Sequence, residues 1–314
     1  MQKESRIYVA SVKTVIGRAL QRVLKLHGYV NVIDDDSVLT DRAAIETLFR
    51  RSAPEYVFMA GAMSGGISLN QKRPALLMHE NLVAECNVID VAHHYGVRKL
   101  LYLASSCCYP RHSPQPMRVE ALLTGPLEPT NEAYAVAKIA GIKLCQAYRQ
   151  EHGDNFIVGI SGDAFGPYDD FDLENSHVIA ALIRKMHDAK DSRSGFVEVW
   201  GSGKPRREFI FADDLAEASI FTMLHHDGKE PINLGSGYAL SIAEIAKAIQ
   251  EVAGYNGELR FNTARPDGMP EKLLDSSPLR AMGWTPKTDI KTALAATYAW
   301  FESSLNHGLN GLNG

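Results

Sequence analysis

The sequence predicts an α/β protein, a doubly wound parallel sheet with a smaller mixed α/β domain beside it. Three observations predict this. Short apolar runs alternate with helical patterns through the first half of the chain. The first run passes into the first helix through a tight turn, in "RIYVASVKTVIGRALQRVL", Arg6 to Leu24. After about residue 165 the alternation loosens into the loop-rich stretches "GPYDDFDLENSH" and "GFVEVWGSGKPRREFIFADD".

The apolar runs "RIYVA", "VNVI", "YVFMA", "KLLYLA" and "FIVGI" read as strands covered on both faces. Between them, "IGRALQRVLKLHG" is a helix that ends at Gly28. The helix "DRAAIETLFRR" begins after Thr40, taken as its cap, and "HENLVAECNVIDVAHHYG" is a longer one ending at Gly96. Parallel strands joined by helices need right-handed crossovers, the architecture of the Rossmann fold, which binds ligands beyond the carboxyl ends of its strands. Residues 1–165 are the expected dinucleotide-binding domain, joined by part of 207–240, and residues 166–314 the expected substrate domain. The final "NHGLNGLNG" reads as a frayed tail, and no internal repeat is present.

Composition narrows the function. At 314 residues, with 45% hydrophobic and 22% charged content, the chain is ordinary globular protein. A net charge of −4 without a long basic run argues against a duplex nucleic-acid partner. No charged start leads into an apolar run and no apolar segment is long enough to span a bilayer, so a cytoplasmic protein without a membrane partner is expected. Four cysteines (Cys86, Cys107, Cys108 and Cys145) are too few and too clustered for a disulfide framework. Cys107-Cys108 lacks zinc-knuckle spacing, and no metal site is expected.

A dinucleotide turn uses three glycines: one for the tight turn, one for close approach to the pyrophosphate and one for helix packing. The corresponding residues here are Ser11, Thr14 and Gly17. Gly17 keeps the packing role, while Ser11 and Thr14 bring bulk, and hydroxyls that could donate to phosphate. Lys13 sits in the turn, and the helix start at Val15 and Ile16 offers free amides to an anion. Taken alone, the turn reads equally as a cofactor loop or an ordinary strand-to-helix turn. Asp34, Asp35 and Asp36 close the second strand, where a carboxylate would bond the adenosine ribose and repel a 2′-phosphate. That favours NAD over NADP, and Lys13 is the nearby basic residue that argues otherwise. Ala60, ending the third strand, borders the same crevice.

The stretch "NEAYAVAKIAG" is more specific. Tyr134 and Lys138 lie four residues apart, so on a helix they share a face. An ammonium near a phenol favours the phenolate and lowers its pKa, which suits proton exchange with a carbonyl oxygen. Upstream, "YLASSCCYP" puts Ser105 and Cys107 at the end of the fourth strand.

Ser105, Tyr134 and Lys138 resemble the catalytic triad of the extended short-chain dehydrogenase/reductase family. The resemblance runs, in order and over nearly the whole chain, through "SSCCYP", "PLEPTNEAYAVAKIAGIKLC", "GPYDDFDLENSHVIAALIRK", "VWGSGKPRREFIFADDLAEA", "INLGSG" and "RPDGMPEKLLD". It implies a nucleotide-sugar epimerase-reductase that acts on a GDP-4-keto-6-deoxy-hexose with NADP or NAD. In that reaction a base and an acid invert the carbons beside the ketone, positions matched here by Cys107 and His177. The resemblance puts Tyr134, Lys138, Asp163 and His177 beside the cofactor as well. It assigns Lys185, Trp200, Arg207 and Lys272 to the substrate, Arg207 meeting the diphosphate, and it implies a homodimer paired through helices near 75–95 and 131–152.

The departures from the family pattern cluster. Two loop glycines are replaced, "VIDDD" lacks the basic residue that often meets a 2′-phosphate, and a threonine-asparagine pair has become Gly162-Asp163. Three readings follow: an epimerase-reductase tolerant of its altered loop, an epimerase with weakened or altered nicotinamide binding, and a non-catalytic family member.

Overall fold

The computed structural model describes residues 1–306; the tail expected to fray lies, beyond Asn306, outside the described residues. The first half runs β1 (Ile7–Ala10), α1 (Val15–Leu26), β2 (Val32–Ile33), α2 (Arg42–Ser52) and β3 (Tyr56–Met59). It continues with α3 (Ile67–Lys72), α4 (Pro74–His94), β4 (Lys99–Ser105), α5 (Glu132–His152) and β5 (Phe156–Ser161). The second half holds β6 (Asp163–Phe165), α6 (Val178–Asp191), β7 (Phe196–Trp200), β8 (Arg206–Arg207), β9 (Phe209–Phe211), α7 (Ala212–His225) and β10 (Ile232–Leu234). It ends with β11 (Leu240–Ser241), α8 (Ile242–Ala253), β12 (Glu258–Asn262), β13 (Glu271–Lys272), α9 (Ser277–Ala281) and α10 (Ile290–Asn306).

The doubly wound sheet expected from the strand–helix alternation is present. Its six strands are all parallel, in the order β10-β5-β4-β3-β1-β2. From β1 the chain goes to β2 on one side and returns to β3 on the other. The carboxyl ends of β1 and β3 therefore flank the switch point, where a crevice must open. Both sheet faces are covered. In β1, Ile7 and Val9 join the core under α1 and α7, whereas Tyr8 and Ala10 join the core under α2, α4 and α5. Each large aliphatic chain so buried contributes roughly 1.5–3 kcal/mol.

A third core, with Ile179, Ile183 and Met186 of α6 packed on residues of β7, β9, α8 and α10, forms the second layer. Short sheets join it together: β11-β8-β13, β12-β7 and β6-β9. In register, Asp163 lies beside Phe209 and Lys272 beside Arg207, so residues from three distant segments meet along one stretch of chain.

The helix ends depart locally from expectation. The cap of α2 is Asp41, whose carboxylate accepts from the Ala44 amide, rather than Thr40. α4 begins earlier than its apolar pattern, at Pro74, because proline's fixed φ suits a first helical residue. β2 is shorter than "VNVI" suggests, only Val32–Ile33.

Candidate active site

The first turn keeps the backbone course of a glycine loop without its glycines. Ser11 adopts φ 65°, the left-handed conformation that glycine takes at no steric cost. Its hydroxyl donates to the carbonyl of Gly61, which locks the turn against the end of β3. The Thr14 hydroxyl donates to Ser11 O at 2.8 Å and accepts from the Gly17 amide at 3.1 Å, so Thr14 caps α1. The expectation that these hydroxyls point toward a phosphate is therefore corrected: both donate inward. A Cβ at Gly17 would lie 2.8 Å from Val12 Cα and closer still to Ser11 O, so the third glycine is a packing requirement. Val15 and Ile16 open α1, whose first amides point out of the helix end. A dinucleotide fits this turn because its two added side chains are tied down away from the anion's approach.

The acidic run at the end of β2 is already engaged. Asp34 accepts from Gln21 at 3.0 Å, Asp35 pairs with Arg51 at 2.8 Å, and exposed Asp36 pairs with Lys13 at 2.9 Å. Burial raises the Asp35 pKa, but bonds from Ser37 and Arg51 hold it below the usual carboxylate range. Ala60, buried after β3, donates its amide to Ala10 O.

The reactive residues converge at the end of β4. Ser105 caps a 3₁₀ turn, Ser106–Cys108, accepting from the Cys107 amide. Cys107 Sγ accepts from Asn131 Nδ2 at 3.0 Å and from Lys272 Nζ at 3.3 Å. Cys108 is buried and directs its thiol toward Ala135 O.

Lys138 departs from expectation. Its ammonium lies 5.8 Å from the Tyr134 ring centre, but it is ion-paired at 2.8 Å with Glu85 of α4, and both residues are about 2% exposed or less. Burial first, then Cys107, Cys108 and Glu85, drive the Tyr134 pKa well above its ordinary value, against the opposing pull of the Ser105 hydroxyl. The lowering expected from Lys138 is outweighed, chiefly by burial of the phenol. The pair is built in. A Cβ at Gly141, mid-helix in α5, would meet the Tyr102 ring and lie 2.8 Å from Glu85 Oε2, and the Tyr102 hydroxyl donates to Lys138 O.

A cavity of about 310 Å³ joins the two layers and is lined by Cys107, Tyr134, Asp163, His177, Lys185, Trp200, Arg207 and Lys272. His177 caps α6 and faces this cavity. Desolvation and the Lys272 charge push its pKa below the usual histidine value, against the pull of Asp163. Its loop is held from behind. Gly66 donates to Asn175 O at 2.7 Å, and a Cβ at Gly65 would sit 2.9 Å from the same oxygen. Trp200 lies between two cations, with Lys185 4.9 Å and Arg265 4.4 Å from its ring. Arg207 is buried, and its guanidinium donates to the carbonyls of Arg206 and Asp267; among the described residues no carboxylate is ion-paired with it. Asp163 pairs with Lys272 at 3.2 Å and lines this cavity together with Lys185, Trp200 and Arg207.

Residues 7–235 match the NAD dependent epimerase/dehydratase family. The chain belongs to this family. The GDP-L-fucose synthase of Sinorhizobium fredii is 46% identical over 302 residues, covering 96% of each chain. Among solved structures, a GDP-mannoheptose C4 reductase from Campylobacter jejuni with NADP bound has a TM-score of 0.86 at 33% identity, covering 96% of this chain and 99% of its own. A GDP-L-fucose synthetase from Naegleria fowleri bound to NADP has a TM-score of 0.88 at 25% identity, covering 98% of this chain and 96% of its own. The resemblance to extended short-chain dehydrogenases/reductases is thus borne out over nearly the whole chain.

Within this epimerase/dehydratase frame, sequence reasoning passed over Glu85, Asn131, Arg265 and the Gly65-Gly66 pair. Only some of them carry a signal: the doubled glycine after β3 marks a close backbone approach, and Arg265 stands in the quoted "RPDG" segment. Among the described residues no cluster of metal-ligating side chains occurs, and no helix is long and apolar enough to cross a membrane.

The buried pair gives a direct stability prediction. Lys138→Met strands the Glu85 carboxylate in the core and should lower the unfolding free energy by about 3–5 kcal/mol. Adding Glu85→Leu should recover most of that loss. Urea unfolding measures both; a single variant as stable as the parent would show that the pair carries no such strain.

Proposed function

We propose that the chain is an NADPH-dependent GDP-sugar epimerase-reductase, which inverts carbons 3 and 5 of a GDP-4-keto-6-deoxy-hexose and reduces its 4-ketone. The observation that carries this reading is the meeting in one cavity of Cys107 from the sheet layer and His177 from the second layer, with Tyr134 beside them. The relatives named for GDP-sugars support the substrate class. So does Arg207, a buried cation without a carboxylate partner among the described residues, whose desolvation a bound diphosphate would offset.

The chemistry follows from the ketone. It acidifies the hydrogens on carbons 3 and 5, because the electron pair of the broken C–H bond moves to the ketone oxygen as an enolate. Cys107, as thiolate, takes the proton from one face of the ring. His177 returns one to the same carbon from the opposite face, which inverts it. A histidine held below its usual pKa is, once protonated, a stronger acid and releases its proton readily. When bound, NADPH supplies the hydride for carbon 4. Tyr134, kept protonated by its raised pKa, gives its proton to the ketone oxygen, and Lys138 stabilises the phenolate left behind.

The cofactor would lie on Ser11, Lys13, Thr14, Val15, Ile16 and Gly17, with Asp34, Asp35 and Ala60 around its adenosine end. Asp35 and Asp36 are paired with Arg51 and Lys13, which reduces the local negative charge that would oppose a 2′-phosphate. That, with the NADP-bound neighbours, supports NADPH over the NADH that the bare "VIDDD" suggests. In this reading residues 1–165 and part of 207–240 carry the cofactor, and residues 166–314 the sugar nucleotide.

Incubating the protein with a GDP-4-keto-6-deoxy-hexose in heavy water tests the epimerase half. Deuterium should enter carbons 3 and 5, and Cys107→Ser should slow its entry about 10²–10⁴-fold. No incorporation by the parent protein would exclude the reading. We further propose a homodimer paired through α4 and α5, which pack side by side and leave Cys86 and Val136 exposed. Light scattering should return twice the chain mass; a monomer would exclude the dimer.

A further inference from the structure

Asp163 is where this sequence parts from its family pattern, and the structure places it beside the proposed base. The Lys272 ammonium sits between two acceptors, 3.2 Å from Asp163 Oδ1 and 3.3 Å from Cys107 Sγ. The arrangement is fixed by the sheets. Lys272 is held in β13 beside Arg207, and Asp163 in β6 beside Phe209, with its amide bonded to Glu208 O at 2.9 Å. Lys272 and Cys107 are buried, while the Asp163 side chain is 30% open to the cavity. The sulfur is therefore not the sole owner of its cation.

Resting on the functional reading above, we propose that Asp163 is a positioning residue that sets the ionisation of Cys107 by sharing Lys272 with it. The carboxylate draws the ammonium partly off the sulfur and adds a negative charge near the thiolate. Both effects disfavour ionisation of the thiol relative to an amide at 163. The other groups facing this centre do not replace that control. Arg207, from β8, adds a second positive charge acting on Asp163 and Cys107. Tyr134 of α5 and Cys108 of the 3₁₀ turn are coupled to Cys107, and Asn131 is a neutral donor. His177 of α6 faces Asp163 and Lys272. Burial works against charge on Lys272, but Asp163 and Cys107 hold its pKa above the ordinary lysine value, so it stays a cation over the working pH range. Asp163 is likewise opposed by burial and held ionised by Lys272, Arg207 and His177.

The device shifts the pH range in which Cys107 serves as a base, and the shift can be read without substrate. The rate of alkylation of Cys107 by iodoacetamide is followed against pH in the full-length protein, with Cys107→Ser subtracting the other thiols. Asp163→Asn should lower the midpoint by about one unit, which makes alkylation about tenfold faster below both midpoints. Lys272→Met should raise the midpoint. An unchanged midpoint in Asp163→Asn would overturn the inference, since a merely structural aspartate moves nothing. An unchanged midpoint in Lys272→Met would overturn the sharing. The pH profile of deuterium entry at carbons 3 and 5 should move with the thiol midpoint in Asp163→Asn; a fixed profile contradicts the inference. A parent protein that exchanges no deuterium overturns the functional reading instead, and the alkylation midpoints still decide the role of Asp163.

Discussion

All six strands of the main sheet run parallel, and a parallel sheet must be covered on both faces. Polar, reactive groups then have one place to go, the carboxyl ends of the strands. The turn after β1, the acidic run after β2, Ala60 after β3 and the Ser105–Cys107 turn after β4 all lie there. The reversal of strand order between β1 and β3 opens the crevice beside them. The second layer adds what the sheet alone lacks. It carries His177 at the start of α6 and brings Arg207 and Lys272 together through the pairing of β8 with β13.

Charge inside this frame is handled by pairing, and two ion pairs are handled differently. Lys138–Glu85 is sealed, with both partners nearly inaccessible, and its charge is balanced whether or not ligands are present. It fixes where the ammonium stands near Tyr134, whose phenol is kept protonated chiefly by its own burial. Lys272–Asp163 is open on the carboxylate side and is shared with a sulfur. A shared pair responds to its surroundings and a sealed one does not. Arg207 is a third case, a buried cation that among the described residues is bonded to carbonyl oxygens and to no carboxylate.

Most of the fold was legible because continuous apolar runs and helical patterns are local signals, and the strands "YVFMA", "KLLYLA" and "FIVGI" report them cleanly. Ser105, Cys107, Tyr134 and Lys138 were legible because one strand end and one helix carry them. Glu85 was not, since it lies 53 residues before Lys138 and nothing in its own segment marks a partner. The expected lowering of the Tyr134 pKa was outweighed chiefly by burial of the phenol, which the spacing of Tyr134 and Lys138 does not reveal. The role of Ser11 was hidden differently: a residue type does not reveal its φ, and at 65° a serine reproduces a glycine's path. Asp163 stood out in the sequence as a foreign charge. Only the position of Lys272, within bonding distance of both Asp163 and Cys107, links it to the thiol.

The central claim is that a turn built on Ser11, Thr14 and Gly17 still delivers a dinucleotide to the cavity of Cys107, His177 and Tyr134. Its most direct test uses NADPH carrying deuterium at the transferable position of the nicotinamide, together with a GDP-4-keto-6-deoxy-hexose. The account predicts one deuterium at carbon 4 of the product and loss of the reduced nicotinamide in equal amount. Recovery of unreduced 4-keto sugar, with the label still on the cofactor, would contradict it.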